Sequence, residues 1–252
     1  MRWVVSLAVL TAISLAIGFV WLPSVHADFT AQGLWDSICR AAGVPASWSS
    51  SDEIKTGPRS TRVVLAPEMA RGGSGESIGR GATLALQKCT MCHGARGVSE
   101  ANAPNLAGQY SEVVMKQLID YQRGDRKSTA MQALAMGLGE GEIRDLAAYY
   151  ASLPRPKNTP VTDMSTVPAL VRVGDPMRNV APCASCHGGI EQKLGAPWME
   201  GMPKDYLVAQ LKDFASGARS NDSHAQMRNM ARALTDKEIE DVAEFYARHE
   251  GR

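Results

Sequence analysis

The pentapeptide Cys89-Thr90-Met91-Cys92-His93 recurs in pattern as Cys183-Ala184-Ser185-Cys186-His187, 94 positions further on. No other feature restricts the fold as strongly. Two thiols one helical turn apart can each add to one vinyl group of a single porphyrin, and a histidine directly after the second thiol reaches the iron as its proximal ligand. A bare Cys-x-x-Cys pair would also suit a dithiol redox centre or a zinc site. The histidine in both copies selects covalently attached c-type haem, two per chain. Cys89, Cys92, Cys183 and Cys186 are the expected attachment points, with His93 and His187 as the first iron ligands.

An iron held this way has a second axial position, and the repeat itself locates the ligand. Most of the chain's 12 methionines must be ordinary core or gap-filling residues. Met131 lies seven residues before Leu138, ahead of Glu142, Ile143, Leu146, Ala147 and Tyr150. Met227 stands in the same relation to Leu234, Glu238, Ile239, Val242, Ala243 and Tyr246, every pair 96 positions apart. At that offset Met136 meets Arg232 and Met230 meets Leu134, so neither neighbouring methionine has a counterpart. Met131 and Met227 are the expected distal ligands.

The repeat extends into the helices that would carry these groups. Val114, Leu118 and Tyr121 match Leu207, Leu211 and Phe214 at an offset of 93, each set spaced as one face of a helix. Both runs close on a glycine and an arginine, Gly124 with Arg126 and Gly217 with Arg219, as a helix C-terminus does. After each methionine a second stripe follows, Ile143, Leu146, Ala147, Tyr150 and Ile239, Val242, Ala243, Tyr246. Thr235 with Glu238 forms a capping box before the second stripe; before the first, Gly139 with Glu142 is a weaker version. Each half reads as haem-motif helix, loop, helix, methionine loop and final helix. The fold class is all-α.

Cys-x-x-Cys-His-Gly twice, Pro104-Asn105-Leu106-Ala107-Gly108-Gln109, and Leu146-Ala147-Ala148-Tyr149-Tyr150 resemble the class I c-type cytochromes, specifically the dihaem cytochromes of the c4 type, over about residues 76–250. The resemblance implies two small class I cytochrome c domains in tandem, related by a pseudo-two-fold and acting as a periplasmic electron carrier. It also implies that the carbonyls of Pro104 and Pro197 meet the Nδ1 protons of His93 and His187. Three features depart from the pattern. Residues 167–182 are broken by Pro168, Gly174, Pro176 and Pro182, Pro197-Trp198-Met199 replaces Pro104-Asn105-Leu106, and a long segment precedes the first haem motif.

That segment opens as an export signal. Residues 3–22 carry no charge, and Val25-His26-Ala27 before Asp28 reads as a cleavage site. The expected division is a signal over 1–27, retained as an inner-membrane anchor if uncleaved, an N-terminal arm over 28–75, haem domains over 76–153 and 169–252, and a proline-stiffened linker over 154–168. Within the arm, Phe29, Leu34, Trp35 and Ile38 suggest a short amphipathic helix, and residues 62–66 a brief extended piece. The arm is either a cap packed on the first domain or a docking element for a larger complex. Cys39 is the fifth cysteine, left over once four are bonded to haem. His224, three residues before Met227, reads as a loop histidine.

Removal of residues 1–27 takes away one arginine and no acid, leaving 26 basic against 26 acidic side chains. This is not the clustered basic surface of a nucleic-acid binder. No Ser/His/Asp arrangement, phosphate loop or paired-carboxylate pattern is present. The expected function is single-electron transfer in the periplasm, from a quinol-cytochrome c reductase or other quinol-oxidising complex, or from a dehydrogenase, to a terminal oxidase. The protein would act alone or as a subunit of a respiratory complex, with membrane association through residues 3–22 if the signal is retained. The competing expectation is a dihaem enzyme of the peroxidase or thiosulfate-oxidising type, which needs an open position on one iron.

Overall fold

The computed structural model describes residues 2–17, 60–156, 161–188 and 193–248. The chain divides into two units, 1–57 and 58–252. In the first, helix α1 spans Arg2–Ala16. Among the described residues no helix is long and apolar enough to cross a membrane. The expected cleavage site, the Phe29 to Ile38 stripe and Cys39 lie outside the described residues.

The second unit holds both haem motifs. Helix α2 (Gly75–Lys88) starts at Ser74, whose side chain accepts the Ser77 N–H, and leads into the single turn α3 (Thr90–His93). Helix α4 spans Ser111–Arg123, α5 spans Thr129–Met136 and α6 spans Glu140–Ser152. In the second half come the one-turn α7 (Ala169–Arg172), then α8 (Lys204–Ser216), α9 (Gln226–Arg232) and α10 (Asp236–Ala247). Helix α4 ends at Gly124 with φ 71° and α8 at Gly217 with φ 81°, so the glycines stand where only they adopt the left-handed turn without strain. The capping box at Thr235 is formed, and at Gly139 only the backbone half exists, its N–H bonded to Glu142 Oε2 at 2.7 Å.

The apolar stripes face inward as their spacing requires. Ile143, Leu146, Ala147 and Tyr150 of α6, and Ile239, Val242, Ala243 and Tyr246 of α10, are each at most 3 % exposed and line the two cores. A buried side chain of the size of Ile143 or Leu146 contributes about 1.5–3 kcal/mol. In the first half α2 packs on α6, and the crossing is close because position 81 is glycine. A Cβ there would lie 2.0 Å from the Asp145 carbonyl oxygen. Arg80 grips the Asp145 carboxylate with Nε and Nη2 at 2.6 and 2.9 Å, locking the same crossing.

The second half has no counterpart of α2, as its prolines foretell. Its place is taken by α7 and short 3-10 turns at Met164–Thr166 and Pro176–Arg178, which bring Val167, Leu170, Val171 and Val180 onto Val242, Ala243 and Tyr246. Asp175 and Val180 form an isolated antiparallel bridge, and no strand occurs among the described residues.

The later part of the expected arm is folded into this unit. Thr61, Val63 and Leu65 are half-buried while Arg62 and Val64 are exposed, the alternation of an extended chain lying on a surface. Ser60 Oγ donates to the Asp222 carbonyl, Thr61 Oγ1 donates to Asp120 Oδ1 at 2.6 Å, and Arg62 Nε meets Asp125 Oδ2 at 3.0 Å. The Leu65 side chain lies against Gly195. Residues 60–65 therefore form a strap touching both halves.

Candidate haem sites and the interface between them

Cys89 caps the end of α2, and α3 carries Thr90 to His93 before Gly94 turns the chain with φ 74°. A Cβ at Gly94 would lie 1.9 Å from the Val98 carbonyl oxygen, so the loop closes under the histidine only with glycine. Cys89 is half-buried and Cys92 exposed, and burial pushes the Cys89 thiol up. His93 is buried, with Nδ1 2.9 Å from the Pro104 carbonyl oxygen. A carbonyl only accepts, so Nδ1 carries the proton and Nε2 keeps its lone pair for a metal. Burial lowers the His93 pKa against the opposing pull of that bond, which keeps the ring neutral.

The second site repeats this chemistry without the long helix. Cys183 begins a 3-10 turn, and burial pushes its thiol up to about 11. His187 is buried, its pKa lowered by the same desolvation, with Nδ1 2.9 Å from the Pro197 carbonyl oxygen. Both bonds implied by the resemblance are present.

Cys89, Cys92, His93, Pro104 and Met131 line one cavity of about 520 Å3. Met136 is turned away at 74 % exposure. In the second half Met227 opens α9 and is half-buried, while Met230 packs into the core with its sulfur accepting the Ala181 N–H at 3.4 Å. His224 and Ala225, with φ 53° and 56°, form the turn that delivers Met227. Left-handed conformations at non-glycine residues carry strain, a cost often found beside a functional group. The His224 side chain is exposed.

The cavity's far wall is specified by no local sequence pattern. It is built by Tyr206, Gln210, Asp213, Ala218 and Arg219 of the second half, facing Arg126 of the first. Arg126 donates to Gln117 Oε1 at 2.9 Å, to the Tyr206 hydroxyl at 3.1 Å and to Gln210 Oε1 at 2.8 Å. Arg219 donates to Asn221 Oδ1 at 2.9 Å and to Gln210 Oε1 at 2.6 Å. These acceptors are neutral. Desolvation, then the neighbouring Arg126 charge, brings Arg219 down to about 10. Burial alone would raise the Tyr206 phenol, but the two guanidiniums outweigh it and hold it below its ordinary value. Two crowded cations on a cavity wall call for an anion, and the propionates of a porphyrin supply one. Thiols, a metal-ready imidazole, a thioether and paired guanidiniums around one space fit haem c. The signal for the arginines was visible in the repeat, since Arg126 and Arg219 are matched residues, but their meeting was not.

Below this wall lies a charged core. Lys116 Nζ bonds Asp120 Oδ2 at 2.5 Å and the Asn221 carbonyl at 2.7 Å, and Asn221 Nδ2 donates to the same Asp120 oxygen at 2.7 Å. Desolvation lowers the Lys116 pKa, and Asp120 partly restores it. Closer to the histidines, Asn105 Nδ2 donates to the Gly201 carbonyl at 2.6 Å, and Arg155 stacks over Trp198 at 4.0 Å. Trp198, one of the departures in the sequence, is thus an interface residue.

Known proteins carry the same plan. Residues 76–149 match a family model described as cytochrome c oxidase, cbb3-type, subunit III, and residues 180–247 match one described as cytochrome c. A cytochrome c4 of Thiocapsa roseopersicina is 34% identical over 186 residues, covering 71% of this chain and 93% of that protein. A thiosulfate dehydrogenase electron acceptor of Stutzerimonas stutzeri is 34% identical over 175 residues, 66% of this chain and 81% of that one. The crystal structure of reduced cytochrome c4 from Pseudomonas stutzeri aligns with a TM-score of 0.61 at 30% identity, over 71% of this chain and all of that one. Two cytochrome c domains, each with its Cys-x-x-Cys-His sequence, bind two covalent haems c. The duplicated helical frame and the likeness along nearly the whole of a cytochrome c4 show that the chain belongs to the dihaem cytochrome c4 family.

Proposed function

We propose that the chain is a periplasmic carrier of single electrons, taking them from a quinol-oxidising complex or a dehydrogenase and delivering them to a terminal oxidase. When bound, each haem supplies one-electron ferrous–ferric chemistry, tuned upward in potential by a His/Met axial pair. The protein's part is to hold the ligands still. Pro104 and Pro197 fix the imidazole tautomers, Ser128 caps the helix bearing Met131 through the Met131 N–H, and the strained turn at His224 and Ala225 sets Met227.

The observation that carries this reading is Met131 in the cavity with His93, together with its repeat partner Met227. With a histidine and a methionine both bound to each iron, no coordination position would be left for a small substrate. An enzyme of the peroxidase or thiosulfate-oxidising type would need one. The relative described as an electron acceptor of thiosulfate dehydrogenase supports a dehydrogenase as donor, and the oxidase-subunit family model supports an oxidase as acceptor. The uncharged residues 3–22 and Val25-His26-Ala27 support export.

The test is stopped-flow mixing of the purified dihaem protein with reduced dehydrogenase, then with oxidase, alongside thiosulfate and peroxide alone. Two electrons taken up per chain and passed on, with no turnover of either small molecule, is the expected result. Steady turnover of thiosulfate or peroxide by the isolated chain would overturn it.

A further inference from the structure

The peptide group between Pro197 and Trp198 is bonded at both ends. Its carbonyl accepts from His187 Nδ1 at 2.9 Å, and its N–H donates to Gln109 Oε1, in the other half of the molecule, also at 2.9 Å. Gln109 Nε2 donates in turn to the Trp198 carbonyl at 2.9 Å, so the orientation of the amide is fixed by an obligate donor and an obligate acceptor. Gln109 Oε1 also accepts the Tyr110 N–H at 3.1 Å. The side chain is buried, out of competition with bulk water.

Hydrogen bonds in series polarise one another. Donation from the Trp198 N–H to Gln109 draws charge onto the Pro197 oxygen, which then accepts more strongly from His187 Nδ1–H. A histidine whose Nδ1 proton is pulled harder is a more basic ligand through Nε2, and a more basic ligand favours the ferric state. The arrangement has one direction only. Met202 stands at the repeat position of Gln109 and has no group with which to do the same for the Pro104–Asn105 peptide and His93.

We propose that Gln109 is a positioning residue through which the first haem domain lowers the reduction potential of the second haem, by polarising the peptide group whose carbonyl accepts from His187 Nδ1. The proposal rests on the carrier reading, with His187 as an axial ligand. It makes the two chemically similar sites unequal by a single side chain, and makes the potential of the second haem depend on the halves being docked.

The experiment is potentiometry of the dihaem protein with each haem followed by its own NMR methyl resonances, for wild type, Gln109→Met, Gln109→Glu and Asn105→Leu. Gln109→Met should raise the second potential, leave the first unchanged, and move the ferrous His187 Nδ1–H resonance upfield as its hydrogen bond weakens. Gln109→Glu retains an acceptor for the Trp198 N–H and should not raise the second potential. Asn105→Leu removes a different contact between the halves and should leave the second potential in place. Unchanged potentials in Gln109→Met with His/Met spectra intact would overturn the proposal alone. An equal rise in Asn105→Leu would overturn it too, since loosening of the interface would then be the cause. Absence of a His/Met spectrum at the second haem of the wild type would overturn the carrier reading together with it.

Discussion

Arg126 and Arg219, matched residues of the two halves, meet across the interface and donate to one shared acceptor, Gln210 Oε1, at 2.8 and 2.6 Å. Each is placed by the same local device. The backbone N–H of Arg126 reaches back to the Asp120 carbonyl at 3.1 Å, and that of Arg219 to the Asp213 carbonyl at 3.0 Å, past the glycine that ends the helix. The duplication has therefore brought two like charges together at the wall of the first haem cavity, where the side chains accepting their hydrogen bonds, Gln117, Tyr206, Gln210 and Asn221, are neutral.

Removing one of these charges is expected to lower the potential of the first haem, because a nearby cation stabilises the more negative reduced state. Arg219→Gln should do so, and should change the stability of the holoprotein by no more than about 1 kcal/mol, because relief of burial and of the Arg126 repulsion offsets the lost hydrogen bonds. Potentiometry and urea unfolding measure the two effects. A potential that rises in Arg219→Gln would contradict the placement of its charge.

The methionine assignment separates cleanly by substitution. Met131→His and Met227→His are each expected to remove about half of the weak near-infrared sulfur-to-iron absorption of the oxidised protein and to lower one potential, as imidazole replaces thioether. Met136→Leu should leave the band intact because that side chain is exposed, and Met230→Leu because its sulfur is engaged by Ala181. Loss of the band in either control would show that the repeat pairs the wrong residues.

The charged core joins three parts of the chain, Thr61 of the strap, Lys116 and Asp120 of α4, and Asn221 of the second half. Asp120→Ala leaves the Lys116 ammonium buried without its counter-charge and is expected to cost about 3–5 kcal/mol. Thr61→Val removes one hydrogen bond to the same carboxylate and should cost about 1–3 kcal/mol. Because the pair is shielded from solvent, neither loss should change much between low and high salt. Urea unfolding at two ionic strengths checks both values.

Acid titrates a different tie. Arg178 donates to Asp175 and to both oxygens of Glu238, and with the Thr235 N–H it holds the Glu238 carboxyl at about 2, well below its ordinary value near 4.5. A depressed carboxylate pKa contributes stability that is present above about 4.5 and is lost as pH falls from there through about 2. The pair is partly solvated, so Glu238→Gln should cost only about 1 kcal/mol at pH 7. That difference should shrink as pH falls and vanish only below about 2, read from unfolding curves of both proteins across the range.

Sequence alone determined the elements that depend on local chemistry. Thiol spacing, the adjoining histidines, the 96-residue offset of Met131 and Met227, the inward stripes and the closing glycines are all short-range patterns. Backbone geometry converts such patterns directly into helices, turns and attachment points. Even the missing helix before Cys183 was legible, because Pro168, Pro176 and Pro182 forbid it. The contacts between the halves were not. Gln109 against the Trp198 peptide, Arg126 beside Arg219, and Thr61 on Asp120 join residues 89, 93 and 59 positions apart, and nothing in the local pattern of either partner specifies the other. A buried polar group needs a partner, but it is the packing of two folded surfaces that decides which partner arrives, so these pairings emerge only when the tertiary structure has closed.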